Sequence, residues 1–225
     1  MNTDYTHISF VLDRSGSMSA MRADAIGGFN VFLRDQQAAS GKATLTLAQF
    51  NNQYEIVHDF APLASAAPLS EKTFVPSGGT ALLDAIGRTI DGTGAKLAAM
   101  PESERPGKVL CVILTDGEEN ASHVFTRVQV MEKITHQRDV YDWVFVFLAA
   151  NQDAIQTGQS LGIAAESSAT YAASGAGQQA AMRGVSQAVR KMRAEGQREY
   201  SLRKSAGAFD AEDRAVVEKT ESPKK

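Results

Sequence analysis

Three runs of apolar, β-branched residues constrain this chain more than any other feature: "HISFVL" (7–12), "KVLCVILT" (108–115) and "WVFVFLAA" (143–150). Each is long enough for a strand and far too short to cross a bilayer. None alternates polar with apolar residues, which is the pattern of parallel strands covered on both faces. Helical periodicity fills the intervals. After Ser17, the side chains of Met21, Ile26, Phe29 and Phe32 or Leu33 share one face, and after Thr80 so do Leu82, Ile86, Ile90 and Leu97. A third helix is expected over 126–137, with Val130, Met131 and Ile134 inward. Strands alternating with helices predict a doubly wound α/β fold, a mostly parallel sheet with helices on both faces.

Two further strands, "ATLTLAQF" (43–50) and "QYEIVHDF" (53–60), are separated only by Asn51 and Asn52. Asn tolerates positive φ, so a tight hairpin is expected, adding one antiparallel strand at the sheet edge. Gly27, Gly28, Gly87, Gly92 and Gly94 lie inside helical stretches, where each costs about 1 kcal/mol relative to Ala. Close packing of helix on sheet, or a break near Gly92, would explain them. A short helix (153–163), a last strand "ATYAA" (169–173) and a helix (178–195) with Met182, Val185, Val189 and Met192 on one stripe complete the pattern. Beyond Gly196, 13 of 29 residues are charged, with mixed signs and little apolar periodicity. The domain is therefore expected to span 1–196, followed by a solvated, flexible tail over 197–225 with a short helix at "AEDRAVVEK".

The length of 225 residues suits one such domain, and 43% hydrophobic content supplies a core. A formal charge of −3 gives no general field for nucleic acid. The first residues lack the basic start and apolar run of a secretory signal, and no segment suits membrane insertion, so a cytoplasmic protein is expected. Cys111 has no partner for a disulfide and reads as a small buried hydrophobe. His7, His58 and His136 show no transition-metal spacing and read as ordinary edge or helix residues. The basic stretch "VRKMR" (189–193) reads as a solvated helix face.

Oxygen-rich clusters punctuate the ends of these elements: "DRSGS" (13–17) after the first strand, "PSGGT" (76–80) before the second helix, and "TDGEEN" (115–120) after the strand 108–115. Each has a local explanation. Ser17 or Ser19 could cap the first helix, Thr80 the second, and Asp116 could hold an Asx turn. Yet in a doubly wound sheet ligands gather outside the carboxyl ends of the strands, where the topology reverses, and one crevice there could collect all three clusters. Glu118, Glu119, Asn120 and His123 could touch a partner or form a solvated polar loop. Asn151 and Asp153 could rim the same crevice.

Asp-x-Ser-x-Ser, a distant Thr and a distant Asp, in that order, together with "GGT" and "TDG", resemble the von Willebrand factor type A domains of bacterial or bacteriophage type. The resemblance runs from about residue 6 to 195. It implies a Rossmann-like fold and a metal-ion-dependent adhesion site formed by Asp13, Ser15, Ser17, Thr80 and Asp116. It implies that Ser15 and Ser17 bind directly, while Asp13, Asp116 and Thr80 bind directly or through water. Mg²⁺ is the cofactor so implied, with Mn²⁺ or Ca²⁺ as alternatives: a small, hard ion takes oxygen ligands and keeps some waters. The partner implied is a protein offering Asp or Glu to the ion, with no nucleic acid.

Two other functions stay open beside this docking module. A Mg²⁺-dependent phosphatase or nuclease on the same layers would want Asp-x-Asp after the first strand, and here Ser15 occupies the second position. No phosphate-cradling GxxxxGK[ST] loop is present. These absences favour a non-enzymatic module. Short members of the family also resemble accessory subunits of AAA+ ATPase systems, and no residue here selects such a partner.

Overall fold

The computed structural model describes residues 1–218. Its strands are β1 (Asn2–Asp13), β2 (Lys42–Phe50), β3 (Tyr54–Pro62), β4 (Pro106–Thr115), β5 (Val144–Ala149) and β6 (Ser168–Thr170). Its helices are α1 (Arg22–Ala38), α2 (Leu82–Ala99), α3 (Arg127–Tyr141), α4 (Ala154–Ser160), α5 (Gly175–Ala194), α6 (Gln197–Ala206) and α7 (Ala211–Val217). The sheet order is β3-β2-β1-β4-β5-β6, parallel throughout except for the antiparallel edge strand β3. The expected doubly wound architecture is thus present. The chain builds outward from β1 to β3, then returns to lay β4 against the other side of β1. Strand order reverses between β1 and β4, so their carboxyl ends flank the switch point.

Alternate strand residues feed two separate cores. Ile8, Phe10, Leu12, Leu110, Val112, Leu114, Val144, Val146 and Leu148 meet α1 and α5 on one face. Val11, Val109, Cys111, Ile113, Phe145, Phe147 and Ala149 meet α2 and α3 on the other. The period of two is real but invisible in the sequence, because both faces are apolar. Burial pushes the Cys111 thiol up to about 12, which suits an inert core group.

Several local expectations change. The hairpin connection has three residues, and neither Asn51 nor Asn52 is among the positive-φ residues. Asn51 works through its side chain: its Oδ1 accepts Gln53 N–H at 2.8 Å, an Asx turn in place of a left-handed one. α2 runs unbroken through Gly92. Gly87 and Gly28 are close-approach positions, since a Cβ would fall 2.6 Å from the Phe125 ring and 2.8 Å from Met182 Cγ respectively. Gly92 has open space around it, and nothing in the packing explains it. α3 extends to Tyr141, and Met131 points outward at 37% exposure. Its start follows a capping box in which Thr126 and Gln129 satisfy each other's backbone N–H groups.

The boundary expected at Gly196 is corrected by the fold. α6 and α7 pack on the domain, burying Tyr200, Ala208, Phe209 and Val217. Tyr200 Oη accepts Val109 N–H at 3.1 Å and donates to Val109 O at 2.6 Å, one residue before β5 takes up the pairing at Leu110. The following segment lies along β6: Phe209 N–H donates to Glu166 O at 3.1 Å, and Arg214 donates to Ser168 O at 3.0 Å and Ala165 O at 2.8 Å. Lys191 of the supposed solvated face pairs with Asp210 at 2.8 Å and Asp213 at 2.9 Å, pinning α7 to α5. Among the described residues of the expected tail, Arg203, Lys204, Asp210, Glu212, Asp213, Arg214 and Glu218 all form ion pairs. Residues 219–225 of the expected tail lie outside the described residues.

His7 departs most from its sequence reading. It is fully buried; its Nδ1 lies 2.9 Å from Thr44 Oγ1, its Nε2 lies 3.1 Å from Ser9 Oγ, and its ring stacks 3.7 Å from Phe60. Burial, aided by Lys96, pulls its pKa down to about 3. The unfolded chain protonates His7 near 6.5 while the fold refuses the proton, so stability falls as pH drops below that value and the loss is complete near 3. Between pH 7 and pH 5 this group should remove about 2 kcal/mol. Urea titrations at both values should show an acid-induced change about 2 kcal/mol more unfavourable in the native chain than in His7→Leu, since other titrating groups shift both chains alike. An equal acid loss in both chains would refute it.

No described helix is long and apolar enough to cross a membrane.

Candidate metal centre

β1 carries the first carboxylate to the switch point. Asp13 ends the strand fully buried, with Oδ1 accepting Ser15 N–H at 2.6 Å and Oδ2 accepting the Thr115 hydroxyl at 2.6 Å. β4 carries the second. Asp116 follows Thr115 directly and is 1% exposed. The turn "RSGS" brings the hydroxyls across the gap. Ser17 Oγ donates to Asp116 Oδ1 at 2.6 Å and lies 2.9 Å from Ser15 Oγ, which is itself 3.5 Å from Asp116 Oδ1. Thr80 enters from the residues leading into α2. A Cβ on Gly117 would sit 3.1 Å from Thr80 Oγ1 and 3.6 Å from Ser17 Oγ, so both hydroxyls border one small space that a larger residue would crowd. All five side chains named from the sequence therefore converge on the mouth between β1 and β4.

The capping explanations do not hold here. The short 3₁₀ turn Gly16–Met21, α1 and α2 all start without a side-chain cap, and their N-cap residues are Ser15, Met21 and Ala81. The hydroxyls of Ser15 and Ser17 face carboxylates and each other instead of helix N–H groups.

The electrostatics invite a cation. Neither Asp13 nor Asp116 has an ion-pair partner among the described residues, and the nearby Arg14 is engaged by Glu55 at 2.7 Å. Burial raises the pKa of Asp13 to about 6 and also raises that of Asp116. Buried carboxylates without a positive partner are costly. Two carboxylates with three neutral hydroxyls form a hard, all-oxygen donor set, which fits a divalent cation such as Mg²⁺. No group of three or more His, Cys, Asp or Glu side chains suited to a metal occurs among the described residues. Any cation held here must draw on hydroxyls.

The loop after Asp116 does more than its sequence suggested. Glu119 is neither free for a partner nor simply solvated: Oε2 accepts Leu83 N–H at 2.9 Å, and Oε1 accepts Ala121 and Ser122 N–H at 2.9 and 2.8 Å. Asn120 Oδ1 accepts Thr80 N–H at 2.9 Å, and Asn120 N–H donates to Thr80 O at 3.1 Å. Asp84 returns the service by accepting His123, Val124 and Phe125 N–H. Glu118 and His123 are exposed. Asn151, at φ 57, donates from Nδ2 to Asp116 O at 3.0 Å and so rims the crevice, whereas Asp153 caps α4. Thr115, Asp84 and Ser122 escaped the sequence reading. An acid two positions inside a helix start, as Asp84 is, was the available signal.

No protein-family model matches the sequence, and no curated protein matches it. Solved structures do. The D319A mutant of the PilB minor pilin from Streptococcus sanguinis superposes with a TM-score of 0.56 at 12% identity, covering 90% of this chain and 64% of that one. Proximal thread matrix protein 1 from the mussel byssus, in a structure with a zinc-occupied MIDAS motif, gives 0.55 at 17% identity, covering 83% and 46%. The ArnB paralog VWA2 from Sulfolobus acidocaldarius gives 0.50 at 14% identity, covering 82% and 45%. The chain thus spans about half to two thirds of the length of these proteins. At such identities the likeness carries architecture alone, and the architecture is that of a von Willebrand factor type A domain.

Proposed function

We propose that this chain is a divalent-cation-dependent protein-docking module, with Mg²⁺ held by Asp13, Ser15, Ser17, Thr80 and Asp116. The observation that carries the reading is the meeting of Ser15, Ser17 and the two unpaired, buried carboxylates at the switch point, with Ser17 Oγ 2.6 Å from Asp116 Oδ1. The zinc-occupied site named for the mussel protein supports a metal in this fold. Hard oxygen donors favour Mg²⁺ over softer ions. When bound, the ion would supply a Lewis-acidic position open to one further oxygen ligand. The chain's own part is to hold the two carboxylates close despite their repulsion. It also keeps the remaining donors neutral, so that the ion stays attractive to a partner's Asp or Glu.

An enzyme is the competing reading. The site offers no carboxylate at the position of Ser15 to act as a general acid, and His7 is buried in its own hydroxyl network away from the strands' carboxyl ends. We therefore propose a non-catalytic role. Affinity capture from the native host should retain a partner in Mg²⁺ and release it in chelator, while circular dichroism stays unchanged. Asp116→Asn should capture nothing in Mg²⁺. Metal-dependent hydrolysis of phosphate esters or nucleic acid that disappears in Asp116→Asn would replace the module with an enzyme.

A further inference from the structure

We infer that Asn120 and Glu119 are positioning residues that set the Thr80 hydroxyl beside Gly117 at the edge of the site, so that Thr80 belongs mechanically to the loop that follows Asp116. This rests on the cation reading of the site. α2 begins at Ala81 without a cap of its own, and the free N–H groups of its first turn are satisfied from the loop 117–125. Leu83 N–H goes to Glu119 Oε2 at 2.9 Å and Asp84 N–H to Ser122 Oγ at 3.0 Å. Glu119 also accepts Ser122 Oγ–H at 2.7 Å, so the carboxylate at the positive end of α2 is fully bonded within the chain. Thr80 itself is gripped on both sides by Asn120, through N–H at 2.9 Å and C=O at 3.1 Å.

The residues just before Thr80 are tied elsewhere. Gly16 N–H donates to Gly78 O at 2.9 Å, Ser77 N–H to Arg14 O at 2.9 Å, and Gly79 N–H to Asn52 Oδ1 at 2.6 Å. Those bonds fix 77–79 to the Asp13 loop and the hairpin turn. The two sets meet at the Gly79–Thr80 peptide, just after Gly78, which the first set holds at φ +73, a conformation that side chains resist. One backbone bond, Ala81 N–H to Asn51 O at 3.0 Å, bridges the sets. The donors therefore hang from two sets of backbone bonds, Ser15 and Ser17 on the Asp13 loop with 77–79 and Thr80 on the loop that follows Asp116, and Ser17 Oγ meets Asp116 Oδ1 across them at 2.6 Å.

A double-mutant cycle read by Mn²⁺ titration tests this. Asn120→Ala should weaken Mn²⁺ about tenfold in the native background, the scale of lost outer-shell support, and less than about twofold in a Thr80→Ala background. Water-proton relaxation should report one additional exchangeable water on Mn²⁺ in Asn120→Ala, as in Thr80→Ala. Glu119→Gln should lose affinity in the same non-additive way. Metal-free melting of the Asn120 variant should fall only by the few degrees that one lost hydrogen bond costs, and an unchanged metal-free circular dichroism spectrum excludes a folding defect. Equal losses in both backgrounds, or native relaxation in Asn120→Ala, overturn the inference alone. A native chain that takes up no Mn²⁺ overturns the cation reading, and this inference with it.

Discussion

Cutting the chain after Gly196 should lower its melting temperature by more than about 10 °C, or prevent folding outright. Tyr200 is fully buried and Phe209 is 5% exposed, and deleting one such aromatic side chain typically costs about 3–5 kcal/mol. The cut also strips Val217 from α5, where it packs so closely that a Cβ on Gly184 would lie 2.3 Å from it. Val109 loses the phenol that satisfies both its backbone groups, and a buried unpaired group costs about 1–3 kcal/mol. The sum of these losses is of the order of the whole stability of a domain. Tyr200→Phe isolates the hydrogen bonds from the packing and should be the milder change. A truncated chain that melts within a few degrees of native would mean that α6 and α7 contribute nothing to the fold.

Mg²⁺ should raise the native melting temperature by about 5–10 °C at a hundredfold excess over its dissociation constant, which corresponds to about 2.7 kcal/mol. Asp13→Asn should abolish that shift. The same variant should melt no lower than native in chelator at pH 7, because it removes a buried charge that has no ion-pair partner among the described residues. The amide oxygen still offers an acceptor to Ser15 N–H, and the Thr115 hydroxyl can turn to accept from the amide nitrogen. Asp13 thus destabilises the cation-free chain and stabilises the loaded one. Differential scanning calorimetry of both chains in Mg²⁺ and in chelator checks the two signs together. A native chain indifferent to Mg²⁺, or a variant that responds as the native does, would exclude Asp13 as a ligand.

What the sequence revealed of this molecule follows from where information is local. β1, β4 and β5 announce themselves because a strand buried on both faces is apolar at most of its positions. The five proposed ligands stand out because their order along the chain matches a family pattern, although Ser15, Thr80 and Asp116 are far apart until the sheet assembles. The supports of the site are illegible for the opposite reason. Glu119 and Asn120 look like any polar loop, and only the fold shows that their acceptors meet α2 and Thr80. His7 sits in an apolar run like a tolerated polar residue, while its network reaches Thr44 on β2 directly and Thr93 on α2 through Ser9. The C-terminal segment was misjudged by counting charges. Tyr200, Phe209 and Val217 are too widely spaced to form a periodic stripe, and the pairing of Lys191 with Asp210 and Asp213 spans 19 and 22 residues of chain.

The placement of those last helices governs how the molecule behaves in company. A sheet ending in a bare strand offers its unpaired backbone to any neighbour and can grow by adding strands. At the β6 end, Arg214 and the N–H of Phe209 already occupy carbonyls of Ala165, Glu166 and Ser168. At the β3 end, the ladder is interrupted by two register shifts, Phe60 adopts φ 48, and Pro62 has no N–H to give. A second chain meets an occupied margin on one side and an irregular one on the other. Neither margin offers a regular row of free backbone groups, so growth of the sheet by strand addition is hindered at both ends.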